Sequence, residues 1–192
     1  MVLRSCEPLE LLPRLQQLQG LGLRHVELAV PADPSHWHTW CGQVQDLRPQ
    51  LPGLSLGAAS VVRPDAVALA VEAGLAYGVA PVLDRRLFQV AQRLGWCLVP
   101  GVFSPSEVQR ARRWGCRIVK LFPAASLGPT YWASLRQPLG GLPFCIAAGG
   151  IRLSEADAWW SAGVDAVALG ASLDHPQALA QLHALLARWP LP

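Results

Sequence analysis

Short apolar and β-branched runs alternate along the chain with longer stretches in which apolar positions recur every three or four residues. The short runs predict strands near residues 2–5, 24–30, 54–59, 77–80, 97–100, 117–121, 143–147 and 165–169, and the longer stretches predict helices between them. Leu9, Leu12, Leu15 and Leu18 form one stripe on the first helix. Ser104-Pro105-Ser106-Glu107 supplies a capping serine, a proline at the first helical position and a glutamate three residues past the cap; Ser154 with Asp157 repeats the pattern more weakly. Gly74, Gly95, Gly115 and Gly163 stand just before strands and fit the left-handed position that ends a helix. The final helix is predicted to stop at Trp189-Pro190.

Eight strand–helix units in 192 residues average 24 residues each, compact for a (β/α)8 barrel of the TIM type but feasible with short loops. An open, doubly wound sheet shows the same alternation. Eight evenly spaced units are many for an open sheet of this length, so the expected α/β architecture is the closed barrel. No linker or low-complexity tail interrupts it, which predicts a single domain over residues 1–192.

Composition narrows the function classes. The longest apolar stretch, residues 66–83, is broken by Glu72, two glycines and Pro81, so no membrane span is expected. The opening Met-Val-Leu-Arg-Ser-Cys-Glu lacks the pattern of a secretory leader. The expectation is a soluble cytoplasmic protein. Cys6, Cys41, Cys97, Cys116 and Cys145 are odd in number and never spaced Cys-x-x-Cys; they read as small buried hydrophobes rather than disulfides or metal ligands. Net charge is +3, and the one basic cluster, Arg110, Arg112 and Arg113, has no aromatic platform beside it. It reads as a solvated helix face and not as a nucleic-acid site. Within the basic residues there is an asymmetry: fifteen of sixteen are arginine, and Lys120 is the one lysine.

Lys120 lies in Arg117-Ile118-Val119-Lys120-Leu121-Phe122-Pro123, an apolar strand closed by proline. An ammonium there is costly unless it is paired, neutral or at the open strand end. One reading is a lysine snorkelling from the strand end. The other is a nucleophile, because a desolvated amine condenses with a ketone to an imine and a guanidinium does not. Glu27, in His25-Val26-Glu27-Leu28-Ala29-Val30, is likewise a carboxylate inside an apolar strand. It reads either as a general acid/base held in a desolvated setting or as a structural carboxylate paired with Arg4 or Arg24. Two glycine-bearing turns follow the seventh and eighth strands, at Ala148-Gly149-Gly150-Ile151 and Leu169-Gly170-Ala171-Ser172. Backbone N–H groups exposed there form the phosphate site that many barrels share, which points to a phosphorylated small-molecule substrate.

These residues resemble the 2-keto-3-deoxy-6-phosphogluconate / 4-hydroxy-2-oxoglutarate aldolase family along nearly the whole chain. The matching stretches are Val2-Leu3-Arg4, residues 23–30 with their glutamate, Gly57-Ala58-Ala59-Ser60-Val61, Ala80-Pro81, Val99-Pro100-Gly101-Val102, Val119-Lys120-Leu121-Phe122-Pro123-Ala124 and Ala148-Gly149-Gly150-Ile151. The resemblance implies a cofactor-free class I aldolase, a homotrimer, that makes pyruvate from a keto acid. It implies Lys120 as imine former and Glu27 as proton shuttle. Arg4 and Ser60 would hold the substrate carboxylate, Pro81 and Phe122 would wall the pocket, and Gly149, Gly150, Gly170 and Ser172 would receive the phosphate. The chain departs from the family pattern at three places: Pro31 stands where many relatives carry an arginine, Ser60 replaces a threonine, and Ala148 replaces the threonine of the common Thr-Gly-Gly turn. Two other readings compete. One is a different barrel enzyme acting on a phosphorylated metabolite, with Lys120 only a charge; the other is a catalytically silent barrel that binds a phosphosugar.

Overall fold

The computed structural model describes residues 1–173 and 177–188. Strand and helix alternate: β1 (Val2–Leu3), α1 (Leu12–Gly20), β2 (His25–Ala29), α2 (Trp37–Leu47), β3 (Ser55–Ala59), α3 (Pro64–Glu72), β4 (Tyr77–Val79), α4 (Arg85–Arg93), β5 (Cys97–Val99), β6 (Gly101–Val102), α5 (Pro105–Arg113), β7 (Ile118–Leu121), α6 (Thr130–Ser134), α7 (Arg136–Leu139), β8 (Phe144–Ala148), α8 (Ala156–Ser161), β9 (Ala166–Ala168) and α9 (Ala178–Arg188). The expected end of the last helix, Trp189-Pro190, lies outside the described residues.

Each strand pairs in parallel with its sequence neighbour, β1 to β5 in one arc and β6 to β9 in another. Two backbone hydrogen bonds join the arcs into a ring. The Lys120 N–H donates to the Pro100 carbonyl at 2.9 Å, and the Val2 N–H donates to the Leu169 carbonyl at 2.9 Å. The open sheet is thereby excluded, and the fold is a (β/α)8 TIM barrel.

The strand expected over residues 97–100 is split, because Pro100 has no N–H to give to a ladder and the chain crowds its neighbour just beyond. A Cβ on Gly101 would sit 2.3 Å from the Pro81 carbonyl carbon, so only glycine passes there. The first strand is shorter than expected and ends at Leu3, leaving Arg4 on the rim.

Strand side chains divide by parity. Val26, Leu28, Leu56, Ala58, Val119, Leu121, Cys145 and Ala147 face the helices and are at most 4% exposed. Trp40, Trp132 and Trp159 are buried in the same layer. Burying one such aliphatic side chain stabilises by roughly 1.5–3 kcal/mol, so this outer layer carries the fold and frees the inner face for chemistry. The inner face holds Glu27, Gly57, Tyr77 and Cys97 in one row of paired residues. A Cβ on Gly57 would lie 2.5 Å from the Tyr77 ring, so the tyrosine fills the space that the glycine leaves.

The helix signals are realised unevenly. Ser104 and Glu107 form the reciprocal cap, with the Glu107 N–H on Ser104 Oγ at 3.3 Å and the Ser104 N–H on Glu107 Oε2 at 3.0 Å. Gly74, Gly95, Gly115 and Gly163 all have positive φ. Ser154 with Asp157 is not the cap of its helix: the turn over Leu153–Glu155 starts earlier, and the Arg152 N–H donates to Glu155 Oε2 at 2.9 Å. Cys41, Cys116 and Cys145 are buried as expected, but Cys6 and Cys97 are exposed, one in the loop after β1 and the other at the lower end of β5. Among the described residues no helix is long and apolar enough to cross a membrane.

Candidate active site

At the C-terminal ends of the strands lies a cavity of about 650 Å³. Its wall brings together Arg4 after β1, Ser60 after β3, Lys120 within β7, Phe122 after β7, Gly149 and Gly150 after β8, and Gly170 and Ser172 after β9. Eight of the ten residues singled out from sequence meet there. Val2, Ala59, Ala148 and Ala168 also line it, and they share the inward parity of Lys120 and Glu27.

Glu27 is not part of that wall. It lies on the inner face in register with the wall residue Val2 on one side and with Gly57, two residues before the wall residue Ala59, on the other, and it is 5% exposed. Its Oε2 is shielded from solvent without a hydrogen-bond partner, and among the described residues it makes no ion pair with Arg4 or Arg24. Burial pushes its carboxyl above the ordinary value; the chain's amino group and Lys120 pull it back. Pro81 is half-buried outside the wall, its backbone pressed against Gly101.

Lys120 is 7% exposed, and its Nζ lies 4.7 Å from the centre of the Phe122 ring. Burial pushes its amine below the ordinary lysine value, the Glu27 charge raises it, and Arg4 lowers it further. Each group thus feels the other across the barrel. The arrangement favours a neutral amine and a protonated carboxyl relative to the same groups in water, which is the pairing that addition to a carbonyl followed by proton transfer needs.

The backbone around the cavity is shaped by unusual conformations. Ser60 has φ +59, the one positive φ outside glycine among the described residues; such a residue stores strain at the end of β3 where it meets the cavity. Gly149 and Gly150 have φ +94 and +78. A Cβ on Gly149 would come within 2.8 Å of the Phe122 ring and 3.0 Å of Pro123 Cα, so the turn can close on Phe122 only because no side chain intervenes.

Arg152 also lines the cavity, with no role assigned to it from the sequence. The available signal was its place two residues past the glycine pair. With it, the wall presents, among the described residues, three cationic side chains, Arg4, Lys120 and Arg152, the last paired with Glu155, and no aspartate or glutamate. Such a surface is complementary to a small molecule with anionic ends.

The model of the KDPG and KHG aldolases matches residues 1–183, and the chain belongs to that family. It is 33% identical over 147 residues to the 2-dehydro-3-deoxy-phosphogluconate aldolase of Pseudomonas aeruginosa, covering 76% of this chain and 64% of that protein. It is 30% identical over 124 residues to the probable 2-dehydro-3-deoxy-6-phosphogalactonate aldolase of Rhizobium meliloti, covering 65% and 58%. The match thus spans less than two thirds of the length of these relatives. In fold it is similar to a solved structure described as native KDPGal, with a TM-score of 0.83 and 23% identity over 98% of this chain and 92% of that one.

Proposed function

We propose that this chain is a class I aldolase that reversibly cleaves a 2-keto-3-deoxy-6-phospho sugar acid or 4-hydroxy-2-oxoglutarate, giving pyruvate and glyceraldehyde 3-phosphate or glyoxylate. The observation that carries the reading is Lys120: the chain's one lysine, 7% exposed, opens into a cavity and makes no ion pair among the described residues.

In this mechanism neutral Lys120 Nζ adds to the C2 ketone, and protonated Glu27 supplies, through water, the proton with which the carbinolamine loses water to give an iminium. The Glu27 carboxylate so formed then takes, again through water, the proton of the C4 hydroxyl, the proton that later returns to C3. The C3–C4 bond breaks, its electron pair moving into the iminium as an enamine while C4 leaves as the aldehyde. The enamine is protonated at C3, and hydrolysis of the resulting iminium frees pyruvate and regenerates the amine. Arg4 and Ser60 hold the carboxylate, Phe122 packs against the reacting carbons with Pro81 supporting the rim, and Gly149, Gly150, Gly170 and Ser172 receive the far end of the substrate. No cofactor enters this scheme.

The same reading makes the protein a cytoplasmic homotrimer. Val62, Val82 and Phe103 are exposed apolar side chains just past strands β3, β4 and β6, and they offer apolar surface for a second copy. Sedimentation that gave a monomer at micromolar concentration would remove the trimer from the proposal.

The chemistry is tested by borohydride reduction in the presence of pyruvate. The expected product is a single modified peptide carrying Lys120, absent from Lys120→Arg. A wild-type protein that cleaves keto acids yet gives no trapped adduct refutes the imine.

A further inference from the structure

We propose that Arg152 is a specificity-determining residue that grips the phosphate end of the substrate and makes the site prefer phosphorylated keto acids. The inference rests on the aldolase reading of the cavity and adds to it a residue to which that reading gives no role.

Arg152 follows the Gly149–Gly150 turn and lines the same cavity as Lys120. Its position is set from two sides. The Arg152 backbone N–H donates to Glu155 Oε2 at 2.9 Å, and the side-chain Nε donates to Glu155 Oε1 at 3.0 Å, with Nη2 donating to the same oxygen. A guanidinium carries five N–H donors, and this clasp uses two. Three remain, on an otherwise exposed head whose direction the glutamate has fixed, so less side-chain freedom is lost when an anion arrives.

Among the described residues of the wall, the other groups at this end are suited to a phosphate but uncharged. Gly149, Gly150 and Gly170 offer backbone, and Ser172 offers a hydroxyl shielded from solvent and without a hydrogen-bond partner. Arg4 follows β1 and Lys120 sits in β7, so Arg152 is the cation nearest in sequence to the glycine turn. A phosphate monoester carries close to two negative charges at neutral pH, and backbone dipoles plus one hydroxyl leave most of that charge uncompensated. A forked guanidinium supplies the missing partner in a geometry that matches phosphate oxygens. A neutral hydroxyl at the same end of the substrate gains no comparable contact.

The test compares 2-keto-3-deoxy-6-phosphogluconate with its unphosphorylated counterpart, 2-keto-3-deoxygluconate, in wild type, Arg152→Gln and Arg152→Lys. In Arg152→Gln the ratio of kcat/KM for the phosphorylated over the unphosphorylated substrate should fall about 10- to 100-fold, the worth of a charge-assisted hydrogen bond at such a site. Arg152→Lys, which keeps the charge and loses the fork, should recover part of the ratio. Inorganic phosphate should inhibit wild type competitively and Arg152→Gln more weakly. An unchanged ratio in Arg152→Gln, with unchanged inhibition by phosphate, overturns the assignment while the aldolase reading stands. Absence of a borohydride-trapped pyruvate adduct in wild type overturns both.

Discussion

The contact between Gly149 and Phe122 offers a quantitative test of how the cavity is built. Gly149→Ala places a Cβ 2.8 Å from two atoms of the Phe122 ring and 3.0 Å from Pro123 Cα, in a backbone held at φ +94. Holding an L-residue at such a φ costs roughly 1–3 kcal/mol, and forcing an extra methyl into filled space costs about 1–3 kcal/mol more. The expected loss of about 2–6 kcal/mol is a large fraction of the roughly 5–15 kcal/mol that holds an ordinary domain together. Gly95→Ala is the control. Its φ is +63 and nothing lies within 4 Å of the added Cβ, so it suffers the backbone penalty alone, about 1–2 kcal/mol. Equilibrium urea unfolding of the two variants and wild type separates the terms, with the midpoint falling further for Gly149→Ala at an unchanged slope. The Phe122 ring that must yield is the one 4.7 Å from Lys120 Nζ, so turnover should also fall in Gly149→Ala and not in Gly95→Ala. If Gly149→Ala is no less stable than Gly95→Ala, the claim that the turn closes directly on Phe122 is wrong.

Glu27→Gln should lower cleavage about 10²–10⁴-fold while the pyruvate imine still forms and can be trapped by borohydride. Because burial raises the Glu27 carboxyl above its ordinary 4.5, the folded state favours the protonated form, and the stability this confers is lost as pH rises through the folded value; Glu27→Gln should therefore be more stable than wild type at pH 8, with the difference vanishing toward pH 4. Lys120→Met should be inactive yet more stable than wild type at pH 7. Its advantage should shrink as pH climbs toward 10.5, since the folded value of the amine is depressed below that figure and wild type escapes the burial penalty only when both folded and unfolded amines are neutral. Denaturation midpoints measured across pH check both signs, and parallel curves for variant and wild type would contradict them.

The barrel was legible because its strands alternate in and out: in Ile118-Val119-Lys120-Leu121, Val119 and Leu121 bury against helices, which forces Lys120 onto the inner face. The same parity places Glu27 inside. The reciprocal cap of Ser104 and Glu107 is local in sequence, and so it could be read from the residues. What could not be read depends on distant parts of the chain. The split at Pro100 follows from Gly101 meeting Pro81 twenty residues earlier. Cys97 has the composition of a core residue but starts its strand at the open lower end of the barrel. Arg152 looks like any surface arginine until the fold turns it toward the cavity.

The seclusion of Lys120 bears on how the protein withstands its own product. On the proposed reading each turnover releases an aldehyde, an electrophile that condenses with accessible primary amines. Among the side chains only one can react in this way, and it sits in the place where reaction is useful; the outward-facing cations are guanidinium groups, which form no stable adducts with simple aldehydes. A catalyst furnished in this manner resists gradual self-modification at high flux.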